Sequence, residues 1–250
     1  MALLHGSVLA ILAGVCAAAG PFPLQLLTDP KARCMDGTPG GYYLEPAARG
    51  ANETKWIIYL QGGGECGNQP SCDARKDSSL GSSNYFSKSV NGVPYFAANN
   101  PATNPNFASW NHVYVPYCTS DLFSGTQTAR NSLGYYFAGR LVVSAILDAL
   151  ESPGGGGLGS ASEIILFGDS AGGLGTFINL DYVAGRFPRA RVTGAPIAGY
   201  FAPAYFYTGP GAGPSLFSDF SIAGLRELWT NWSATADADC VKALAADPSG

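Results

Sequence analysis

The sequence predicts an α/β fold in which a mostly parallel sheet carries helices on both faces. Two patterns point there. Short apolar runs rich in β-formers recur at 55–60, 113–117 and 163–167, and longer segments with helical character lie at 139–150 and 171–187. Strands that alternate with helices pair in parallel, because each crossover helix covers a face of the sheet. Composition agrees: 46% of the residues are hydrophobic and 13% charged, which is enough hydrophobe for a sizeable core. The 33 glycines and 17 prolines supply turns around buried strands.

Taken in order, residues 2–20 form an apolar run broken only by His5 and Ser7 and ending in Ala17-Ala18-Ala19. Small residues at alternate positions after such a run suit a signal peptidase, so 1–19 is expected to be a secretory signal peptide and 20–250 one domain. An uncleaved anchor is the alternative, since the run is barely long enough to span a bilayer. No later segment has transmembrane character, so no membrane association is expected after cleavage. The run 55–60 (Lys55-Trp56-Ile57-Ile58-Tyr59-Leu60) reads as a buried strand stopped by Gly62-Gly63-Gly64. Residues 65–109 are polar and rich in Asn, Ser, Pro and Gly, and read as a long excursion. A second strand follows at 113–117. The helix at 139–150 presents Leu141, Val142, Ala145, Ile146 and Ala149 on one face. A glycine linker at 152–159 leads to the third strand, 163–167, then to the helix 171–187 and the start of a fourth strand at 191–194.

Five cysteines remain once Cys16 leaves with the leader. Cys66 and Cys72 are near enough to staple one loop. Cys34 and Cys118 can pair over a long one, worth about 4 kcal/mol in loop entropy. Cys240 is then alone, and an odd thiol in an exported chain implies a free group or a missing partner. The sequons Asn52-Glu53-Thr54 and Asn231-Trp232-Ser233 permit glycosylation. A net charge of −4 without a basic run excludes a phosphate-binding surface, so nucleic acid is not an expected partner.

The strongest chemical signal is Gly168-Asp169-Ser170-Ala171-Gly172, directly after an apolar strand and opening a helix. A serine at so sharp a strand–helix turn is lifted above the sheet, and glycines on either side remove the collisions the turn would cause. The helix N-terminus behind it offers N–H groups to a developing oxyanion. Ser170 is therefore the candidate nucleophile. Acyl transfer needs further donors, which hydrolases of this architecture take from the residue after the nucleophile and from a glycine-rich loop after an earlier strand. Ala171, Gly63 and Gly64 occupy those places. A serine also needs a base. The chain has two histidines, His5 and His112, and neither follows Ser170, whereas this architecture orders its triad Ser, Asp or Glu, His. His112 reads as structural. Asp181, Asp219, Glu227, Asp237, Asp239 and Asp247 follow Ser170, and each is most simply a solvated charge or a cap.

Several stretches together resemble the pectin acetylesterase family, which includes the Notum carboxylesterases. They are Cys34-Met35-Asp36-Gly37-Thr38-Pro39, Leu60-Gln61-Gly62-Gly63-Gly64-Glu65-Cys66, Gly81-Ser82-Ser83-Asn84-Tyr85, Trp110-Asn111-His112-Val113, Tyr117-Cys118, Phe123-Ser124-Gly125 and Gly168-Asp169-Ser170-Ala171-Gly172-Gly173. Order and spacing hold from about Cys34 to Pro196. The resemblance implies an α/β-hydrolase-like, disulfide-bonded, extracellular serine esterase that acts as a monomer without metal or organic cofactor. It makes Ser170 the nucleophile and Gly63, Gly64 and Ala171 the oxyanion hole. Its acylated substrate would be a polysaccharide such as cell-wall pectin. It also implies that the triad Asp and His lie beyond residue 250, so that the C-terminal part of the fold is missing and the chain is a fragment. Two positions depart from the family: Glu65 stands where plant members usually have Trp, and Asp169 where they often have Cys. Hormone-sensitive-lipase-like esterases share Gly-Asp-Ser-Ala-Gly-Gly but carry a histidine where Gln61 stands. A non-catalytic binding protein on the same scaffold is the alternative that the absent histidine favours.

Overall fold

The structure is a computed structural model that describes residues 21–48, 50–93, 98–201, 209–211 and 220–246. The expected leader, Cys16, Asp219 and Asp247 lie outside these residues. A seven-stranded sheet has the order β4-β1-β2-β5-β3-β6-β7. Its strands are β1 (Phe22–Leu26), β2 (Gly41–Glu45), β3 (Asn52–Leu60), β4 (Ser89–Val90), β5 (Trp110–Val115), β6 (Glu163–Asp169) and β7 (Arg191–Ile197). β5, β3, β6 and β7 pair in parallel, whereas β4, β1, β2 and β5 pair antiparallel.

The parallel half is the part anticipated from periodicity. β3 is central, and Trp56–Leu60 is buried without interruption. This is why the run is continuously apolar instead of alternating. The antiparallel half was not anticipated: β1 and β2 are five residues each and lie in a segment with many turn-formers.

Helices α2 (Gly139–Glu151) and α3 (Ala171–Arg186) carry the chain from β5 to β6 and from β6 to β7. Both steps run the same way along the sheet, and right-handed crossovers put such connections on one face. Accordingly Val142, Ile146 and Val183 share a core with Trp56, Ile58, Leu60, Ile164 and Leu166. The β3-to-β5 connection steps the other way: Cys66, Cys72 and Leu80 pack with the helix-side core, and its later part covers the other face, where Val93, Phe107 and Trp110 pack on Ile57, Tyr59 and Phe167. Stacked rings of Tyr43, Tyr114, Tyr59 and Phe167 run across that face.

The segment 65–109 is not wholly irregular. It contains α1 (Gln69–Lys76), whose first turn is closed by a capping box between Asn68 and Ser71 with a proline beside it. The helix is short and buries only Cys72, so it lacks the apolar stripe that periodicity detects. Two further helices, α4 (Ile222–Trp232) and α5 (Ala238–Ala246), follow β7. Disulfides join Cys34 to Cys118 and Cys66 to Cys72, and Cys240 is free and exposed. Among the described residues no helix is long and apolar enough to cross a membrane.

Candidate active site

The chain leaves β3 toward β5 on one side and leaves β6 toward β7 on the other, so the direction of winding reverses between these two strands. Between the carboxyl ends of these two neighbouring strands the topology opens a crevice, the usual ligand position in a wound α/β sheet. The glycine triplet lies at one lip and Ser170 at the other.

Ser170 is the residue between β6 and α3, with φ 51° and ψ −117°. Such a backbone costs a non-glycine residue about 1–3 kcal/mol and persists only where its surroundings enforce it. Here the Ser170 N–H donates to Ile197 O (2.9 Å), and Ser170 O accepts from Leu174 N (3.1 Å). The flanking glycines are required by contact. A methyl on Gly168 would lie 2.2 Å from Gly172 O, and one on Gly172 would lie 1.9 Å from Leu60 O. These distances leave no room for any side chain, so helix α3 starts directly against the end of β3.

The opposite lip is held just as closely. Gly62 N–H donates to Asp169 Oδ1 (3.0 Å), and the Arg75 guanidinium donates to Gly63 O (2.6 Å) and to Ser120 Oγ (2.7 Å). Burial lowers the pKa of Arg75 from its ordinary value, with Tyr117 and Glu65 opposing. Gly64 has φ 73°, a left-handed turn that favours glycine. In a trans peptide the carbonyl and the following N–H point in opposite directions. With Gly63 O turned to Arg75, the Gly64 N–H therefore points away from it. Among the described residues the N–H groups of Gly63, Gly64 and Ala171 have no hydrogen-bond partner.

A cavity of about 330 Å³ is lined by Gly64, Glu65, Leu122, Ser170, Ala171, Leu174, Phe201 and Phe220. It brings Ser170, Ala171 and Gly64 to one place; Gly63 does not line it. A larger cavity of about 540 Å³, beside Tyr42 and Ala149, holds none of these residues.

One wall of the serine cavity was not legible in the sequence. Ser120, Leu122 and Phe123 all have φ between 51° and 58°. This strained loop is wound around Asp121, a fully buried carboxylate. Asp121 accepts from Thr119 Oγ1 (2.6 Å), Phe123 N (3.1 Å), Gly125 N (3.2 Å) and Gly139 N (2.7 Å). Burial raises its pKa from the ordinary value, and these hydrogen bonds oppose the rise. The loop places Leu122 on the cavity, while Phe123 O accepts from Asn179 Nδ2 on α3 (3.0 Å).

His112 is elsewhere. It is fully buried on β5, with Nε2 2.8 Å from Phe107 O and Nδ1 3.7 Å from Glu45 Oε2. Its register partner is Ile57, which pairs with Ile165, five residues before Ser170. At 3.3 Å per residue that is about 16 Å down the strand. His112 is a structural histidine. The sequons differ in setting: Asn52 Nδ2 donates to Ser109 Oγ at an exposed site (2.6 Å), whereas Asn231 Nδ2 donates to Gly67 O in a half-buried one (3.2 Å).

The pectinacetylesterase family profile matches residues 15–243. The chain is 38% identical over 173 residues to pectin acetylesterase 4 of Arabidopsis thaliana, covering 66% of this chain and 41% of that protein. It is 35% identical over 185 residues to human palmitoleoyl-protein carboxylesterase NOTUM, covering 71% of this chain and 36% of that one. The solved structure of the Wnt deacylase Notum from Drosophila superimposes with a TM-score of 0.77 at 27% identity, over 91% of this chain and 65% of that chain. The chain thus spans about two-fifths of the length of the curated relatives it matches. By this match, and by the ordered motifs around the Ser170 elbow, the chain belongs to the pectinacetylesterase family.

Proposed function

We propose that the chain is the nucleophile-bearing part of an extracellular serine esterase that cleaves acyl esters. Ser170 would attack the ester carbonyl, Gly64 and Ala171 N–H groups would receive the oxyanion with Gly63 shaping the loop, and water would release the acyl group from the serine. The observation that carries this reading is the single cavity lined by Ser170, Gly64 and Ala171, reached over a strained elbow. Each oxyanion donor would supply about 3 kcal/mol in the transition state.

The base is proposed to come from outside this 250-residue sequence, because His112 is buried about 16 Å away along the strand. Acetyl esters of a cell-wall polysaccharide such as pectin are the proposed substrate. The names of the relatives support this only by analogy, since one is a pectin acetylesterase and another a palmitoleoyl-protein carboxylesterase. Secretion, glycosylation at Asn52 and a monomeric state belong to the same reading. The absence of a usable histidine favours, as a second reading, a non-catalytic binding protein on this scaffold.

A serine without its base loses on the order of 10⁶ in rate. The chain is therefore expected to turn over p-nitrophenyl acetate no faster than its Ser170→Ala variant. A fluorophosphonate is expected to label Ser170 slowly, and faster when imidazole is added as an external base, with no label at that position in Ser170→Ala. Labelling confined to other residues would overturn the esterase reading, and robust turnover abolished by Ser170→Ala would overturn the placement of the base.

A further inference from the structure

Asp169 has no part in the acyl-transfer scheme, yet its side chain ties the two lips of the crevice together. Its Oδ1 accepts from Tyr59 Oη (2.6 Å) and from Gly62 N–H (3.0 Å). A methyl on Gly62 would lie 2.5 Å from Asp169 O and 2.7 Å from its Oδ2, so the carboxylate and its backbone lie flat against the glycine. Asp169 immediately precedes Ser170, and Gly62 is two residues before Gly64. One carboxylate therefore spans from the nucleophile's own strand to the loop that carries the opposing donor. Tyr59 Oη, delivered from β3, holds that carboxylate in place.

The peptide planes make the linkage specific. Gly62 N–H is aimed at Asp169 and Gly63 O at Arg75. With both groups held, the direction of the intervening backbone is set, and the Gly64 N–H is turned away from Arg75. Remove the acceptor for Gly62 and its N–H loses its fix, so that of the peptide groups flanking Gly63 the carbonyl held by Arg75 is left, with the next backbone anchor at Cys66, whose N–H donates to Ser120 O and whose sulfur is bonded to Cys72.

We infer that Asp169 is a positioning residue for the proposed reaction: by fixing Gly62 it sets the Gly64 N–H against Ser170. The inference rests on the reading of Ser170 as nucleophile and Gly64 as oxyanion donor. Misplacing a reacting group by 1 Å costs about 100-fold in rate. Asp169→Ala is expected to produce a loss of that order in the maximal rate at which a fluorophosphonate, with imidazole present, modifies Ser170. The half-saturating probe concentration should hold, because the cavity lining is untouched. Asp169→Asn retains an acceptor for Gly62 and should restore most of the rate.

The test pairs that labelling with amide hydrogen exchange over residues 61–66, which needs no chemistry at Ser170. Asp169→Ala should speed exchange there by about 10-fold or more, with Asp169→Asn close to the parent. Tyr59→Phe provides a second perturbation if Asp169→Ala fails to fold, and should show a smaller change in the same segment. Unchanged exchange in a folded Asp169→Ala or Tyr59→Phe protein overturns the inference. So does a rate loss that Asp169→Asn does not recover. If the parent is not labelled at Ser170 at all, the nucleophile reading fails, while exchange still decides whether Asp169 holds the loop.

Discussion

Helix α3 contains four glycines whose surroundings differ enough to make one substitution give opposite results along a single helix. A methyl at Gly172 would sit 1.9 Å from Leu60 O, 2.6 Å from Leu60 C and 3.0 Å from Gln61 C, all backbone atoms. Ordinary contact is about 3.5 Å or more, so the start of α3 and the end of β3 must separate by over about 1 Å. Overpacking of this kind costs about 1–3 kcal/mol, and more where no side chain can yield. Helix propensity returns about 1 kcal/mol of this. At Gly185 nothing lies within 4 Å, so only the propensity gain remains. Gly172→Ala is therefore expected to lose about 2 kcal/mol or more and Gly185→Ala to gain about 0.5–1 kcal/mol. For a chain of this size each kcal/mol moves the melting midpoint by about 2–4 °C. Gly175→Ala should fall between them, because its nearest neighbour is the Phe123 ring, 2.7 Å away. Urea denaturation with the slope fitted alongside the midpoint measures all three. A Gly172→Ala protein as stable as the parent, or a Gly185→Ala protein that gains nothing, would refute the contact argument.

The two disulfides close loops of sequence separation 84 and 6. Chain entropy makes them worth about 4.5 and about 2 kcal/mol, so replacing Cys34 and Cys118 by Ala should cost about twice what replacing Cys66 and Cys72 costs; equal losses in denaturant would contradict the entropic account. Asp121→Asn should destabilise by about 1–3 kcal/mol, because the new amide N–H₂ faces N–H groups that in the parent find an acceptor; a stability equal to the parent's by thermal denaturation would show that the loop does not depend on that carboxylate. Burial raises the pKa of Tyr42, Tyr43, Tyr114 and Tyr117, and burial with the Asp73 contact pushes Tyr135 up to about 12. A raised phenol pKa gives stability that is complete below pH about 10 and is lost as pH climbs through the raised values. Absorbance at 295 nm should therefore show a late group of tyrosines that ionise together with loss of far-UV ellipticity. Ionisation of all of them in one step near pH 10 with the fold intact would exclude the effect.

What could be read from the chain depended on how each element is buried. Trp56–Leu60 and Ile164–Phe167 lie on strands paired on both sides, and their unbroken apolar character marks them directly. The elbow was legible because its geometry admits only glycine at 168 and 172, so composition and conformation carry the same message there. Helix α1 was not, since it is anchored by a cap and a disulfide and offers no apolar stripe; Asn68, Pro70 and Ser71 were the signal available. The Asp121 loop was illegible for a different reason. Three left-handed non-glycine residues are held by one carboxylate reaching Gly139, eighteen positions away, and no local pattern encodes that. The Asp169–Gly62 contact is likewise long-range, and at the level of sequence Asp169 showed only as a departure from its relatives.

The most direct measurement is a crystal structure of the protein after reaction with a small fluorophosphonate. If Ser170 is a nucleophile facing backbone donors, phosphorus will be bonded to Ser170 Oγ and its phosphoryl oxygen will lie about 2.7–3.1 Å from the N–H groups of Gly64 and Ala171. A phosphoryl oxygen turned to solvent, or an adduct on another residue with Ser170 unmodified, would contradict the assignment.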